Sequence, residues 1–154
     1  MHNVGIINLN FSNSKSFTNI LESLKLNFGI IDHNDQIKNY KKIILPGTGS
    51  FDQAMRELRD KKMDQMLLEH CNKGNYLLGV CLGMQVLFSE GEEGGYSKGL
   101  GLINGKVKKL LSVTSNKDII HIGWNEVRLK NNILIFDNIS LEENFYFVHG
   151  FHVL

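Results

Sequence analysis

The sequence predicts an α/β protein: an open, mostly parallel sheet with helices on both faces, extended by antiparallel strands in its second half. Three observations carry this. Short apolar runs alternate with segments of helical period through the first half. Those runs are continuously hydrophobic, as strands buried on both faces are. Beyond Gly91 the helical period gives way to strand-and-turn texture.

The elements follow in order. An apolar run over 4–9 reads as the first strand, and a polar loop over 10–16 follows it. Phe17, Ile20, Leu21, Leu24 and Phe28 recur at helical spacing, which predicts a helix over 17–26 with Ser16 as N-cap. Residues 28–31 and 43–45 read as the next strands, the latter ending abruptly at Pro46-Gly47-Thr48-Gly49, a turn signal. A helical stretch over 51–73 breaks near 59–62, and its second part keeps an inward face of Met63, Met66, Leu67 and Cys71. Gly74-Asn75 punctuates the chain before a buried strand over 76–80, and 84–89 resumes helix. Residues 100–111, 119–129, 133–136 and 146–148 read as strands with turns between them. No internal repeat or low-complexity linker interrupts the 154 residues, so one domain spanning 1–154 is expected.

Bulk properties exclude several function classes. The formal net charge is +1, which gives no electrostatic footprint for nucleic acid or an anionic membrane surface. No apolar stretch approaches the roughly 20 residues that span a bilayer. The two cysteines, Cys71 and Cys81, form neither a metal knuckle nor a disulfide framework. A cytoplasmic protein without metal or cofactor is the expectation.

The sharpest chemical signal is Gly79-Val80-Cys81-Leu82-Gly83, between a predicted strand and a predicted helix. A Gly-x-nucleophile-x-Gly turn at that junction holds the nucleophile in a strained, exposed conformation. The helix after it presents unpaired N–H groups that favour a thiolate, and the Leu82 N–H is well placed for a developing oxyanion. Pro46-Gly47-Thr48-Gly49 also follows a buried strand, so a parallel sheet puts it at the same carboxyl edge as Cys81. The competing reading is a structural cysteine in a glycine-rich turn.

Extended to Gly79-Val80-Cys81-Leu82-Gly83-Met84-Gln85, the elbow resembles the signature of class I glutamine amidotransferases. Further stretches are similar to the glutaminase subunit of imidazole glycerol phosphate synthase: Asn8-Leu9-Asn10 with Ser16 and Asn19, and Pro46-Gly47-Thr48-Gly49-Ser50-Phe51 with Ala54-Met55. So are Gly99-Leu100-Gly101-Leu102-Ile103 with Gly105-Lys106-Val107, His121-Ile122-Gly123-Trp124-Asn125, and Phe145-Tyr146-Phe147-Val148-His149. Three details depart from that pattern. Thr48 stands where valine is common, Ile120 where proline is, and Asn8-Leu9-Asn10 lacks an aspartate-tyrosine-glycine opening.

The resemblance implies a flavodoxin-like core and hydrolysis of glutamine through a cysteine thioester, the ammonia passing to a synthase partner. It implies Cys81 as nucleophile, the backbone at Leu82, Thr48 and Gly49 as oxyanion hole, and Gln85, Glu93, Gly150 and Phe151 as holders of glutamine. Glu93 lies in a charged loop and equally suits a water-facing role. Trp124 and Asn125 would face a (β/α)₈ barrel cyclase, although a lone tryptophan is as often core. The resemblance also implies a Phe-His-Pro-Glu motif for base and orienting carboxylate. The segment present is Phe151-His152-Val153-Leu154, so the domain is expected to lack its C-terminal part and to expose a sheet edge open to self-association. Two other readings stand beside this one: an amidotransferase serving surface-sugar modification, and a catalytically inactive fragment that binds a partner.

Overall fold

The computed structural model describes all residues except 1–3, 11, 113, 116, 130–133, 138 and 141–142. They divide into two compact units: the residues up to Lys108 together with Val153–Leu154, and Lys109–His152.

The first unit is built on a four-stranded parallel sheet of β1 (Val4–Ile7), β2 (Phe28–Ile31), β3 (Lys42–Gly47) and β4 (Tyr76–Cys81), in the order β2-β1-β3-β4. Strands β1 to β4 all run one way because a helical segment lies between each successive pair. These are α1 (Ser14–Ser23), a 3-10 turn over Asn34–Asn39, and the pair α2 (Phe51–Asp60) and α3 (Met63–Asn72). The apolar runs of β1, β2 and β3 fill the core, with Ile6, Ile7, Ile31, Ile43 and Leu45 buried, whereas β4, expected to be buried, exposes Tyr76 and Leu78 because it is the edge strand of this sheet among the described residues. Helix α2 buries Phe51, Ala54, Met55 and Leu58, one stripe of helical period. The expected break comes at Lys62, which takes a left-handed φ of 54°, and α3 then buries Met63, Leu67 and His70. Buried His70 is satisfied by the Tyr76 carbonyl, 3.1 Å from its Nε2.

Several boundaries differ from expectation for identifiable reasons. Helix α1 starts at Ser14, not 17, with Asn13 rather than Ser16 at its N-cap; its first turn is polar and carries no apolar signal. Its Ile20 and Leu24 are exposed while Leu21 is buried. The helix expected over 84–89 is instead a single turn, α4 (Leu82–Gln85), followed by β5 (Phe88–Gly91). Tertiary bonding stops the helix, since the Val86 and Leu87 carbonyls accept the N–H groups of Leu100 and Ile103 at 2.8 and 3.1 Å. Strand β5 pairs in parallel with β7 (Ile103–Lys109) and antiparallel with the short β6 (Ser97–Lys98). Leu154 exchanges two backbone hydrogen bonds with Lys106 of β7.

The second unit holds an antiparallel pair, β8 (His121–Glu126) and β9 (Asn144–His149), with Trp124 opposite Tyr146 and His121 opposite His149. Residues Leu134–Phe136 form a 3-10 turn where a strand over 133–136 was expected; residue 133 lies outside the described residues. Residues Phe151–Val153 form a final short strand, β10, which the sequence did not signal.

Candidate functional site

The site is assembled at the carboxyl edge of the parallel sheet. Strand register sets Gly47, the last residue of β3, directly beside Cys81, the last residue of β4. Thr48-Gly49 and Leu82 therefore leave the sheet side by side. Cys81 sits at φ 55°, ψ −120° and is exposed, the strained and presented conformation expected of an elbow. Three positions without Cβ atoms let the chain turn this tightly. A Cβ on Gly83 would lie 1.8 Å from the Leu45 carbonyl oxygen, and one on Gly79 would lie 2.5 Å from the Gly83 oxygen. One on Gly47 would lie 2.8 Å from the Gly83 nitrogen. The glycines on both sides of Cys81 thus press the turn after it onto β3. The helix that follows is only one turn long, so the macrodipole expected from a longer helix is absent; the local N–H of Leu82 remains.

A small open depression adjoins this edge, lined by Leu9, Gly47, Thr48, Gln53, Ala54, Glu57 and Leu82. It brings the Thr48 and Leu82 segments against the β1–α1 loop and one face of α2. Gln85 is buried beneath the elbow. Glu93 does not simply face water. Its carbonyl accepts the Asp52 N–H at 3.1 Å, and its carboxylate accepts the Phe51 N–H, so it closes off the start of α2. Burial raises its carboxyl above the usual range, against the opposing pull of that hydrogen bond. The other cysteine, Cys71, is part-buried, and burial pushes its thiol up, which disfavours the reactive thiolate.

Trp124, Asn125, Gly150 and Phe151 belong to the second unit. Strand alternation puts Trp124 and Asn125 on opposite faces of the β8–β9 pair. Trp124, 69% exposed, stands with Ile122, Tyr146 and Val148 on an exposed apolar face, its ring 5.4 Å from that of Tyr146. Asn125 lies on the other face, in a hydrogen-bonded chain that sequence reasoning missed. The Phe151 carbonyl can only accept, so the N–H of His149 is on Nδ1, 2.8 Å away. His149 Nε2 then accepts from His121 Nδ1 at 3.0 Å, and Asn125 Nδ2 donates to His121 Nε2. The only sequence signal was two histidines that strand register would later bring opposite each other. Among the described residues, no cluster of three or more His, Cys, Asp or Glu side chains is arranged to hold a metal, and no helix is long and apolar enough to cross a membrane.

Comparison with known proteins extends these observations. The family profile of the CobB/CobQ-like glutamine amidotransferase domain matches residues 4–121. The imidazole glycerol phosphate synthase subunit HisH of Geobacillus sp. (strain WCH70) is 39% identical over 154 residues, covering 98% of this chain and 72% of the relative. That of Chlorobium chlorochromatii (strain CaD3) is 41% identical over 140 residues, covering 91% and 69%. Among solved structures, a glutamine amidotransferase crystal structure superimposes with a TM-score of 0.67 at 17% identity, covering 94% of this chain and 69% of that one. PurLQS from Thermotoga maritima gives 0.64 at 20% identity, covering 99% and 69%. At these identities the two structures bear on the fold, which they share with this chain.

Proposed function

We propose a role for this chain from one premise: it belongs to the glutamine amidotransferases, and within them to the family of imidazole glycerol phosphate synthase subunit HisH. It is the glutaminase subunit of that synthase, releasing ammonia from glutamine for a synthase partner in histidine biosynthesis. The observation that carries this reading is the strained, exposed Cys81 standing in register with Gly47, with Leu82 and Thr48-Gly49 leaving the sheet beside it.

In the reaction, Cys81 Sγ attacks the carboxamide carbon of glutamine. The carbonyl oxygen becomes an oxyanion, stabilised by the Leu82 N–H and by the backbone of Thr48-Gly49. Collapse expels ammonia and leaves a thioester, which water hydrolyses to glutamate and free thiol. Gln85 and Glu93, both in the first unit, hold the substrate. Proton transfer to the leaving amine and from the water is worth about 10²–10⁴-fold. The resemblance assigns that work to a Phe-His-Pro-Glu motif, which these 154 residues do not contain.

The partner is a (β/α)₈ barrel cyclase, docked on the apolar face of Trp124, Ile122, Tyr146 and Val148; Asn125, on the opposite face of the strand pair, is not part of that surface. Exposed aromatic clusters of this kind serve as interface anchors. Strand β4, which ends the parallel sheet and exposes Tyr76 and Leu78, offers the edge for self-association. Two free cysteines fit a reducing cytoplasm.

The test is ammonia release from glutamine by this chain, with and without a barrel cyclase subunit, with Cys81→Ala as blank. Cysteine-dependent release that the cyclase stimulates supports the reading. Binding of the cyclase without any Cys81-dependent release at saturating glutamine would reduce the role to partner binding.

A further inference from the structure

Glu93 joins the two segments that leave the sheet beside Cys81. One runs from the Leu82 elbow through α4 and β5 into the turn over 92–95; the other is Thr48-Gly49-Ser50, which leads straight into α2. The turn is fixed from its own side. The Glu92 N–H donates to the Val107 carbonyl of β7 at 3.2 Å, and the Gly95 N–H closes back on the Glu92 carbonyl at 3.2 Å. Glu93 is thereby presented to the start of α2, where its carboxylate accepts the Phe51 N–H and its carbonyl accepts the Asp52 N–H at 3.1 Å. Two close approaches press the same surfaces together. A Cβ on Gly94 would lie 2.7 Å from Ser50 Oγ, and one on Gly91 would lie 2.5 Å from the buried Phe51 ring. At the far end of α2, Arg59 donates to Ser97 Oγ at 3.2 Å and to the Lys98 carbonyl, so the β5–β6 hairpin is tied to both ends of the helix.

The ordinary capping group is not used. Ser50 stands at the N-cap with the extended backbone of that position, φ −96° and ψ 152°, yet its side chain makes no cap hydrogen bond. The first two N–H groups of α2, which a helix cannot satisfy internally, are met by Glu93 instead. Phe51 follows Gly49 by two residues, so the bond that fixes the Phe51 N–H also limits where the Thr48-Gly49 backbone can lie.

We propose that Glu93 is a positioning residue for the oxyanion hole: by capping α2 from the turn that follows the elbow, it sets the Thr48-Gly49 backbone against the Leu82 N–H. This role is separate from any contact with glutamine. It rests on the glutaminase reading, which assigns the oxyanion to those two segments.

The test uses two small electrophiles at Cys81 of the 154-residue chain, neither shaped like glutamine. With p-nitrophenyl acetate, Cys81 Sγ bonds to the acetyl carbon through an oxyanion; the ester C–O bond then breaks, p-nitrophenolate leaves and the thiol proton passes to water. With iodoacetamide, Sγ displaces iodide and no oxyanion forms. Both rates are taken after subtracting those of Cys81→Ala. Glu93→Ala is expected to lower acylation relative to alkylation about 10-fold. That is less than the roughly 10²–10³-fold loss of a whole oxyanion donor, because the residue 93 carbonyl still holds the Asp52 N–H. Glu93→Gln keeps an oxygen for the Phe51 N–H and should stay within about threefold of the parent. Adding Ser50→Asp to Glu93→Ala supplies a capping carboxylate from the N-cap itself and should restore acylation to within about threefold. Glu93→Met, which keeps the bulk and loses the acceptor, carries the test if Glu93→Ala fails to fold. Unchanged acylation, as a residue that only holds glutamine would give, overturns the positioning role. So does parallel slowing of both reagents, or a loss that Ser50→Asp does not recover. A parent chain that acylates no faster, relative to alkylation, than free cysteine has no oxyanion hole; that result overturns the glutaminase reading itself, and the inference with it.

Discussion

Gly83→Ala isolates the packing that builds the elbow. The added methyl would sit 1.8 Å from the Leu45 carbonyl oxygen and 2.7 Å from its carbon, both backbone atoms of a buried central strand. A carbon and a carbonyl oxygen approach no closer than about 3.3 Å, so the two segments must separate by roughly 1.5 Å. Overpacking of that kind costs about 1–3 kcal/mol. The same displacement moves the Leu82 N–H and lifts Cys81 away from Gly47, and a misplacement near 1 Å costs about 100-fold in a positioned reaction. Gly74→Ala is the matched control. Its φ of 77° strains alanine by roughly 1–2 kcal/mol, but no atom lies within 4 Å of the new methyl. Urea unfolding followed by tryptophan-independent circular dichroism should show both variants destabilised. Glutamine-analogue labelling of Cys81 should collapse in Gly83→Ala alone. If Gly83→Ala labels at the parent rate with unchanged stability, the turn does not pack on β3 as described and the argument for the elbow fails.

Cys81→Ala and Cys81→Gly should both abolish ammonia release, but only glycine accepts φ 55° without strain, so Cys81→Gly should be more stable than Cys81→Ala by about 1 kcal/mol in a denaturant titration. Trp124→Ala should weaken cyclase binding by about 2 kcal/mol or more in a calorimetric titration while leaving stability nearly unchanged, because the ring is mostly exposed. Equal affinity would remove Trp124 from the interface. Burial raises the Glu93 carboxyl, so its contribution favours the fold below its unfolded titration range and is lost as pH rises through the folded value. Glu93→Gln should therefore gain stability relative to the parent at pH 7, with the gap closing in acid; a constant gap across pH would mean that Glu93 does not titrate differently on folding.

The local part of this protein was legible in its residues. The apolar runs over 4–9, 28–31 and 43–45 announced parallel strands, and the Gly-x-Cys-x-Gly spacing announced a strained turn, since only glycine leaves room at Gly79 and Gly83. The break at Lys62 was equally visible from the interrupted helical period. What the residues did not announce depends on partners distant in sequence. Helical period continued through Val86 and Leu87, yet their carbonyls are claimed by Leu100 and Ile103, which stop the helix after one turn and turn Phe88–Gly91 into strand. Glu57 looked like one more charge on a helix until its hydrogen bond to Asn10, 47 residues earlier, bound it to the β1–α1 loop. His121 and His149 meet only because β8 and β9 pair in one register. The sequence by itself determined the strands and helices of the first half and the strained turn at Cys81, because those preferences follow from nearest neighbours. The tertiary structure alone decided which carbonyls, carboxylates and imidazoles meet, because hydrogen bonds between remote segments exist only once the sheet has set their register.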